Sequence, residues 1–358
     1  MAVTELGWHA GLDAAFAPFA AAGFEPARVA IAYGATFRVY TRDSEELADL
    51  AGRLRHDATG RRDLPAVGDW VAVKRTAIEG GRATIHGVLP RKSLFSRKAA
   101  GDETTEQIVA ANVDTVFLVT GLDRDFNLRR IERYLVMSWE SGASPVIVLN
   151  KADLAGELQA RRDEVHAIAL GVPIHAISAR AQTGLEALDQ YLKPGQTIAV
   201  LGSSGVGKST LINRLLGEDR LRTREVREDD QRGRHTTTHR ELIRLPRGAL
   251  LIDTPGMREL QLWSADAGVA EAFDDIAVLG QGCHFADCAH ETEPRCAVKQ
   301  AVAEGRLHAA RLENYHKLQR ELTWLSVRQD ALAQQTEKKK LRAMFRAIRK
   351  QGPSKGKP

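Results

Sequence analysis

The spacing of apolar residues changes its rhythm twice along this chain. Between residues 27 and 91 it runs in short pieces: ARVAIAYG, ATFRVYTRD, a stretch around EELADLAGRLRHDA, VGDWVAV and RATIHGVLP. Gly34, Gly60, Gly68 and the Gly80-Gly81 pair punctuate them. Five short runs bounded by turn residues predict strands closing into a small barrel or sandwich. A five-stranded OB-like barrel is one economical closure. Residues 92–106, KSLFSRKAAGDETTE, are polar and unpatterned and read as a linker.

Beyond the linker, continuous apolar runs alternate with amphipathic ones. VDTVFLVTG, SPVIVLN, VPIHAIS and QTIAVLG read as strands; LRRIERYLVMSWESG, LQARRDEVHAIALG, GLEALDQYL and STLINRLLG read as helices. ELIRL and GALLIDTPG form a last strand pair. Strands apolar on both faces, separated by helices, predict a doubly wound and mainly parallel α/β sheet. From about residue 305 a long helical region with a mixed-charge face follows. No internal repeat is evident. The expected organisation is multidomain: an N-terminal extension over 1–26, a barrel over 27–95, an α/β domain over 106–275, a helical module over 276–325, and a basic helix and tail over 326–358.

Composition adds little until it is located. The chain has 358 residues, 43% hydrophobic and 27% charged, which is ordinary for a folded protein and excludes a globally disordered chain. No stretch approaches the roughly 18 unbroken apolar residues of a membrane span. The N-terminus has no basic n-region, so it does not read as a signal peptide, and the protein is expected in the cytoplasm. The net charge of +5 is unevenly placed. Residues 338–358 hold nine Lys or Arg and no acid, so the rest of the chain is net negative. Such an arm attracts polyanions, with nucleic acid first and an anionic membrane face a distant alternative.

The strongest chemical signal is Gly202-Ser203-Ser204-Gly205-Val206-Gly207-Lys208-Ser209, followed by Thr210. It fits G-x-x-x-x-G-K-[ST] with a strand before it and a helix after it. The glycines let backbone N–H groups converge on phosphate oxygens, and the helix N-terminus adds its positive dipole. Lys208 would reach the β- and γ-phosphates, and the Ser209 hydroxyl would ligate Mg²⁺. Asp253-Thr-Pro-Gly256 follows an apolar strand. Asp253 suits a Walker-B carboxylate, and the Gly256 N–H suits the γ-phosphate. Asn150-Lys151-Ala152-Asp153 follows another strand. The Asp153 carboxylate can accept from both N1–H and the 2-amino group of guanine, while adenine would leave it unpaired, a discrimination of roughly 10⁴-fold or more. Asn150 could bond the Hoogsteen edge, and the Lys151 stem could lie over the ring. Ser178-Ala179 would offer the Ala179 N–H to guanine O6. GTP is therefore the expected nucleotide.

The polar segment between Lys208 and Asp253 contains His235-Thr236-Thr237-Thr238. Thr237 is expected to complete the Mg²⁺ shell, with Thr236 next. The residue after Gly256 is Met257, which cannot orient a water, so slow intrinsic hydrolysis and activation by a partner are expected. His235 is the in-chain catalytic candidate and Arg258 a weaker one. Gly205 stands where some GTPases place a K⁺-binding Asn, so no K⁺ activation by that route is expected. The three cysteines are Cys283, Cys288 and Cys296, with His290 between the last two. Three Cys and one His complete a closed tetrahedral zinc set, one ion per chain. His284 is the alternative fourth ligand.

The base-reading motifs precede the phosphate-binding ones, the reverse of the usual order, as in a circularly permuted GTPase. With the barrel, VGDWV, GRHTTT, DTPGMREL and the cysteine cluster, residues 27–325 closely resemble the ribosome small-subunit-dependent GTPase A family (RsgA, also called YjeQ). The resemblance selects His290 as the fourth zinc ligand. It implies a GTP hydrolase that binds the small ribosomal subunit and its rRNA as a monomer, assists late maturation, is stimulated by the subunit and is released by hydrolysis. The rival readings are a nucleotide-gated RNA-binding module with little turnover and a general P-loop NTPase. Arg53, Arg55, Arg61, Arg62, Arg91, Lys92, Arg97 and Lys98 are candidate RNA contacts on and beside the barrel.

Overall fold

A computed structural model describes residues 2–76, 81–98, 106–220, 240–253 and 266–327. His235, Thr236, Thr237, Gly256, Met257, Arg258 and the basic arm lie outside the described residues.

The barrel is built as its rhythm predicts. Strands β1 (Glu25–Tyr33), β2 (Thr36–Tyr40), β3 (Glu45–Leu50), β4 (Trp70–Lys74) and β5 (Ala83–Val88) pair in the order β1-β2-β3-β5-β4. A further β1–β4 pairing closes the ring. Val29, Val39, Val71, Val73 and Ile85 fill its interior. Helix α1 (Ala10–Ala21) lies in the stretch ahead of the barrel, and Gly52–Asp57 forms the short helix α2 between β3 and β4.

The expected linker carries a strand. Leu94–Lys98 is strand β6, paired antiparallel with β7 (Glu106–Ala111) in a separate two-stranded sheet. Phe95 is buried, which anchors a strand that hydrophobic periodicity alone does not announce.

The α/β domain contributes β8 (Thr115–Gly121), β9 (Ser144–Asn150), β10 (Ile174–Ala176), β11 (Thr197–Leu201), β12 (Glu241–Arg244) and β13 (Leu250–Asp253). Their order is β10-β9-β8-β11-β13-β12, parallel except for the β12 edge. Every residue of β8 and β11 is buried, as expected of strands covered on both faces. Successive residues serve opposite sides: Val116 and Leu118 pack with Ile131 and Leu135, while Phe117 and Val119 pack with Leu188 and Leu211. Helices α3 (Leu128–Ser141), α4 (Leu158–Ile168) and α5 (Lys208–Leu216) fall on predicted segments. Leu185–Tyr191 winds as a 3₁₀ helix rather than an α-helix.

Barrel and α/β sheet are continuous through the pairing of Ile31 in β1 with Glu241 in β12. Arg28 reinforces that junction. Its guanidinium donates to the carbonyls of Leu6, of Gly68 at 3.2 Å and of Asn112 at 3.1 Å. Burial lowers its pKa to about 10. Gly68 has φ +91°, and a Cβ there would stand 2.1 Å from the Ala111 carbonyl, so glycine is required where the barrel meets the end of β7.

The C-terminal part is helical: α6 (Asp266–Ala272), α7 (Asp274–Gly280), α8 (Ala297–Ala303) and a helix over 309–327. α6 lies close on α3. The Gly268 N–H donates to Glu140 at 3.1 Å, and a Cβ at Gly268 would meet the Val136 carbonyl at 2.2 Å. Among the described residues, no helix is long and apolar enough to cross a membrane.

Candidate functional site

The reversed motifs meet in space because their strands lie in one parallel sheet, the base-reading pair on one side of β8 and the phosphate-binding pair on the other. β11, which carries the phosphate loop, lies between β13 and β8, and β9 follows β8. The loops after β9, β10 and β11 and the Asp253 end of β13 therefore share the C-terminal edge of one parallel sheet, where such sheets bind ligands.

Gly202, Gly205 and Gly207 have φ values of +156°, +82° and +93°. A Cβ on Gly202 would lie 2.3 Å from the Val119 carbonyl, and one on Gly207 would lie 2.3 Å from the Asn150 side chain. The loop thus needs glycine for conformation and for room, leaving its N–H groups available as a concave anion nest. α5 begins at Lys208, so its N-terminal dipole points into the nest. Lys208 Nζ donates back to the carbonyls of Gly202, at 2.7 Å, and Ser203. Ser209 and Thr210 follow in the first turn. These residues fit a nucleotide triphosphate by nest, dipole and cation together.

Asp253 ends β13 and pairs across the strands with Glu241. Burial, then the Glu241 carboxylate, push its carboxyl above the ordinary range; Arg220 and Lys208 oppose them. An acid raised in this way is stabilised as an anion when a cation approaches.

Asn150 ends β9 and is 2% exposed. Its Nδ2 donates to the Val206 carbonyl at 2.8 Å, and its Oδ1 accepts the Ala179 N–H at 2.9 Å. Asn150 thereby straps the phosphate loop to the Ser178-Ala179 loop, using one of its two amide hydrogens and one of its two carbonyl lone pairs. Ser178 is buried, and its hydroxyl accepts the Ala181 N–H at 3.0 Å. Lys151 adopts φ +64° and pairs with Asp123. Burial alone would raise the Asp123 carboxyl, but the Lys151 hydrogen bond and the Asp125 N–H outweigh it and hold it below the usual range. Ala152 and Asp153 open a short 3₁₀ turn, with Asp153 exposed.

Asp123, Asp125 and Arg130, at the β8–α3 turn, also reach these loops and were not singled out by sequence reasoning. The available signal was two acids, DRD, directly after an apolar strand. Asn127 caps α3 by accepting the Arg130 N–H at 3.0 Å, which fixes where that turn ends.

The second cluster is Cys283, Cys288, His290 and Cys296, whose ligand atoms all lie within 4.8 Å of one another. Cys283 and Cys296 sulfurs are 3.8 Å apart, and His290 Nδ1 is 3.6 Å and 3.4 Å from them. Zinc–sulfur and zinc–nitrogen bonds in a tetrahedron give separations of about 3.8 and 3.5 Å, so the donor set fits that ion. His290 reaches inward with φ +63°. His284 instead stacks edge-on against Phe285.

The basic residues around the barrel divide. Arg91 is structural: it forms a bidentate pair with buried Asp69 at 2.7 Å and donates to two backbone carbonyls. Arg62 pairs with Glu106, Lys92 with Asp114 and Arg53 with Asp57, and Arg97 donates to Gln107. Arg55 and Arg61 are exposed and make no ion pair among the described residues. The Lys98 side chain is outside the described residues.

Comparison with known proteins agrees with the geometry. A family model described as RsgA GTPase matches residues 88–263. The small ribosomal subunit biogenesis GTPase RsgA of Opitutus terrae is 48% identical over 98% of this chain and 97% of its own length. YjeQ from Thermotoga maritima superposes with a TM-score of 0.62 at 29% identity, over 84% of this chain and 99% of that one. YloQ, described as a circularly permuted GTPase, superposes with a TM-score of 0.58 at 23% identity, over 84% of this chain and 95% of that one, a likeness of fold. On near-full-length identity, a matching permuted architecture and a phosphate nest of the required form, the chain belongs to the RsgA family of GTPases.

Proposed function

We propose that this GTPase binds the small ribosomal subunit through its rRNA, acts late in its maturation, and is released when GTP is hydrolysed. One observation carries the nucleotide half: Asn150 hydrogen-bonds both the phosphate loop and the Ser178-Ala179 loop, joining two distant chain segments into one cradle. The names of the relatives support the partner.

In this reading Lys208 and the N–H groups from Gly205 to Ser209 hold the phosphates. Asp153 accepts from the guanine edge, and Lys151, aligned by Asp123, lies along the ring. Ala179 lends its buried loop to the base pocket. Ser209, Asp253 and Thr237 are the residues that would hold Mg²⁺, which when bound would neutralise charge on the phosphate oxygens. Gly256 would sense the γ-phosphate, and His235 would orient the attacking water. Zinc at Cys283, Cys288, His290 and Cys296 is structural, since its four ligands leave no open position. The barrel, α2 and the basic arm meet RNA, Arg55 and Arg61 being exposed cations that make no ion pair among the described residues. The protein works as a cytoplasmic monomer.

The test is GTP turnover with and without purified small subunits, alongside a zinc measurement. Stimulation by the subunit and one zinc per chain are expected. Tight nucleotide-gated binding with no stimulated turnover would favour a binding module instead.

A further inference from the structure

The turn between β8 and α3 reaches both nucleotide loops. Asp123 holds Lys151 of the base-reading motif, and its other oxygen accepts the Asp125 N–H at 3.1 Å. Asp125 in turn accepts the Ser203 hydroxyl, on the first residue after Gly202 in the phosphate loop. Arg130 closes the ring: Nη1 donates to Ser203 Oγ at 2.9 Å, pairs with the Asp125 carboxylate at 2.8 Å and donates to the Asp125 carbonyl at 3.2 Å.

This places a carboxylate against a loop built to bind a polyanion. An acid hydrogen-bonded to such a loop opposes the ligand unless a cation cancels it. Arg130 is that cation, and it is held by α3 rather than by the loop itself. The Arg130 and Asp125 side chains are about one-third exposed, so solvent screens but does not erase the effect.

We infer that Asp125 and Arg130 are positioning residues for the triphosphate: together they fix Ser203, and Arg130 offsets the Asp125 charge so that the loop accepts GTP. This rests on the proposed cradle. The geometry makes the pair's effect depend on ligand charge, so it is larger for GTP than for GDP.

The test is titration of the full chain with a non-hydrolysable GTP analogue and with GDP. Arg130→Ala is expected to weaken analogue binding by about tenfold or more and GDP binding by less. Arg130→Lys, which keeps the charge, should stay within about threefold of the parent. The double variant Asp125→Asn with Arg130→Ala should recover most of the loss, and Asp125→Asn alone should bind the analogue at least as tightly as the parent. Unchanged binding in Arg130→Ala, no recovery in the double variant, or a tenfold loss in Asp125→Asn would each overturn the inference. If the alanine variant does not fold, Arg130→Gln, which removes the charge and keeps most of the bulk, takes its place with the same expected loss. A parent protein that binds no guanine nucleotide would count against the cradle itself; a parent that binds, matched by Arg130→Ala, would count against this pair alone.

Discussion

At the scale of single residues, Asn150 shows how a motif read for its ligand also serves the fold. Its amide satisfies one buried carbonyl and one buried N–H on two different loops. Asn150→Ala leaves both unpaired, and an orphaned buried polar group costs about 1–3 kcal/mol. The variant is expected to lose at least that much stability in chemical denaturation and to bind GTP more weakly. Stability equal to the parent would mean that the strap is dispensable. The motif was legible in NKAD because its residue types are chemically specific. The strap was not, because it depends on a partner 56 residues away. Arg91 teaches the converse. Its charge suggested an RNA contact, yet it lies 12% exposed against buried Asp69. Local sequence does not reveal whether a cation has been claimed by a distant acid.

At the scale of elements, α3 is the hub of the described structure. Its first turn bonds the phosphate loop, and its other faces hold the C-terminal helices. Arg311, on the 309–327 helix, donates to Glu132 at 2.6 Å and to Asp275 at 2.7 Å, and lies over Phe273. Asn314 also donates to Glu132 at 2.5 Å, and Arg133 pairs with Glu321 at 2.6 Å. Burial pushes the Glu132 carboxyl up, with Arg311 and Asn314 opposing it. Arg311→Met removes the main compensating charge from a buried acid, which costs about 3–5 kcal/mol. Without Arg311 the folded-state pKa of Glu132 rises further above its unfolded value, so the folded state binds protons more readily. The defect is therefore expected to be largest at neutral pH and to shrink as pH falls into that raised range. Denaturation of both proteins at several pH values checks the sign; a defect that grows on acidification contradicts it. The Cys₃His cluster gives a second test at this scale. Chelation or Cys288→Ser should remove one zinc per chain and reduce helical signal, because residues 281–296 have few apolar side chains to bury without the ion and Cys296 caps α8. Full helicity in the metal-free protein would contradict a structural role. The cysteine spacing made this site legible in the sequence. Strand β6 was missed because one buried aromatic among polar residues gives no period.

At the scale of the whole molecule, the pieces are joined rather than strung together. The β1–β12 pairing makes barrel and α/β sheet one surface, and Arg28 pins the N-terminal segment, barrel and β7 together. The permutation sends the chain from the Asp253 strand to α6 and α7, which pack beside α3, and then into the segment that carries the Cys₃His cluster. A change in phosphate occupancy at one edge of the sheet thus has short structural routes to both flanking modules. Affinity for the small subunit is accordingly expected to be higher with a non-hydrolysable GTP analogue than with GDP, and equal affinities would contradict a nucleotide-driven cycle. Binding should also fall steeply with salt if several RNA phosphates are contacted.

The central claim is that two distant chain segments, in reversed order, form one guanine-specific cradle. Calorimetric titration of the parent and of Asp153→Asn with GTP, ATP and xanthosine triphosphate tests it most directly. The account predicts tight GTP and negligible ATP binding by the parent, with preference moving toward the xanthine nucleotide in the variant. Equal binding of GTP and ATP, or a variant whose base preference is unmoved, would contradict it.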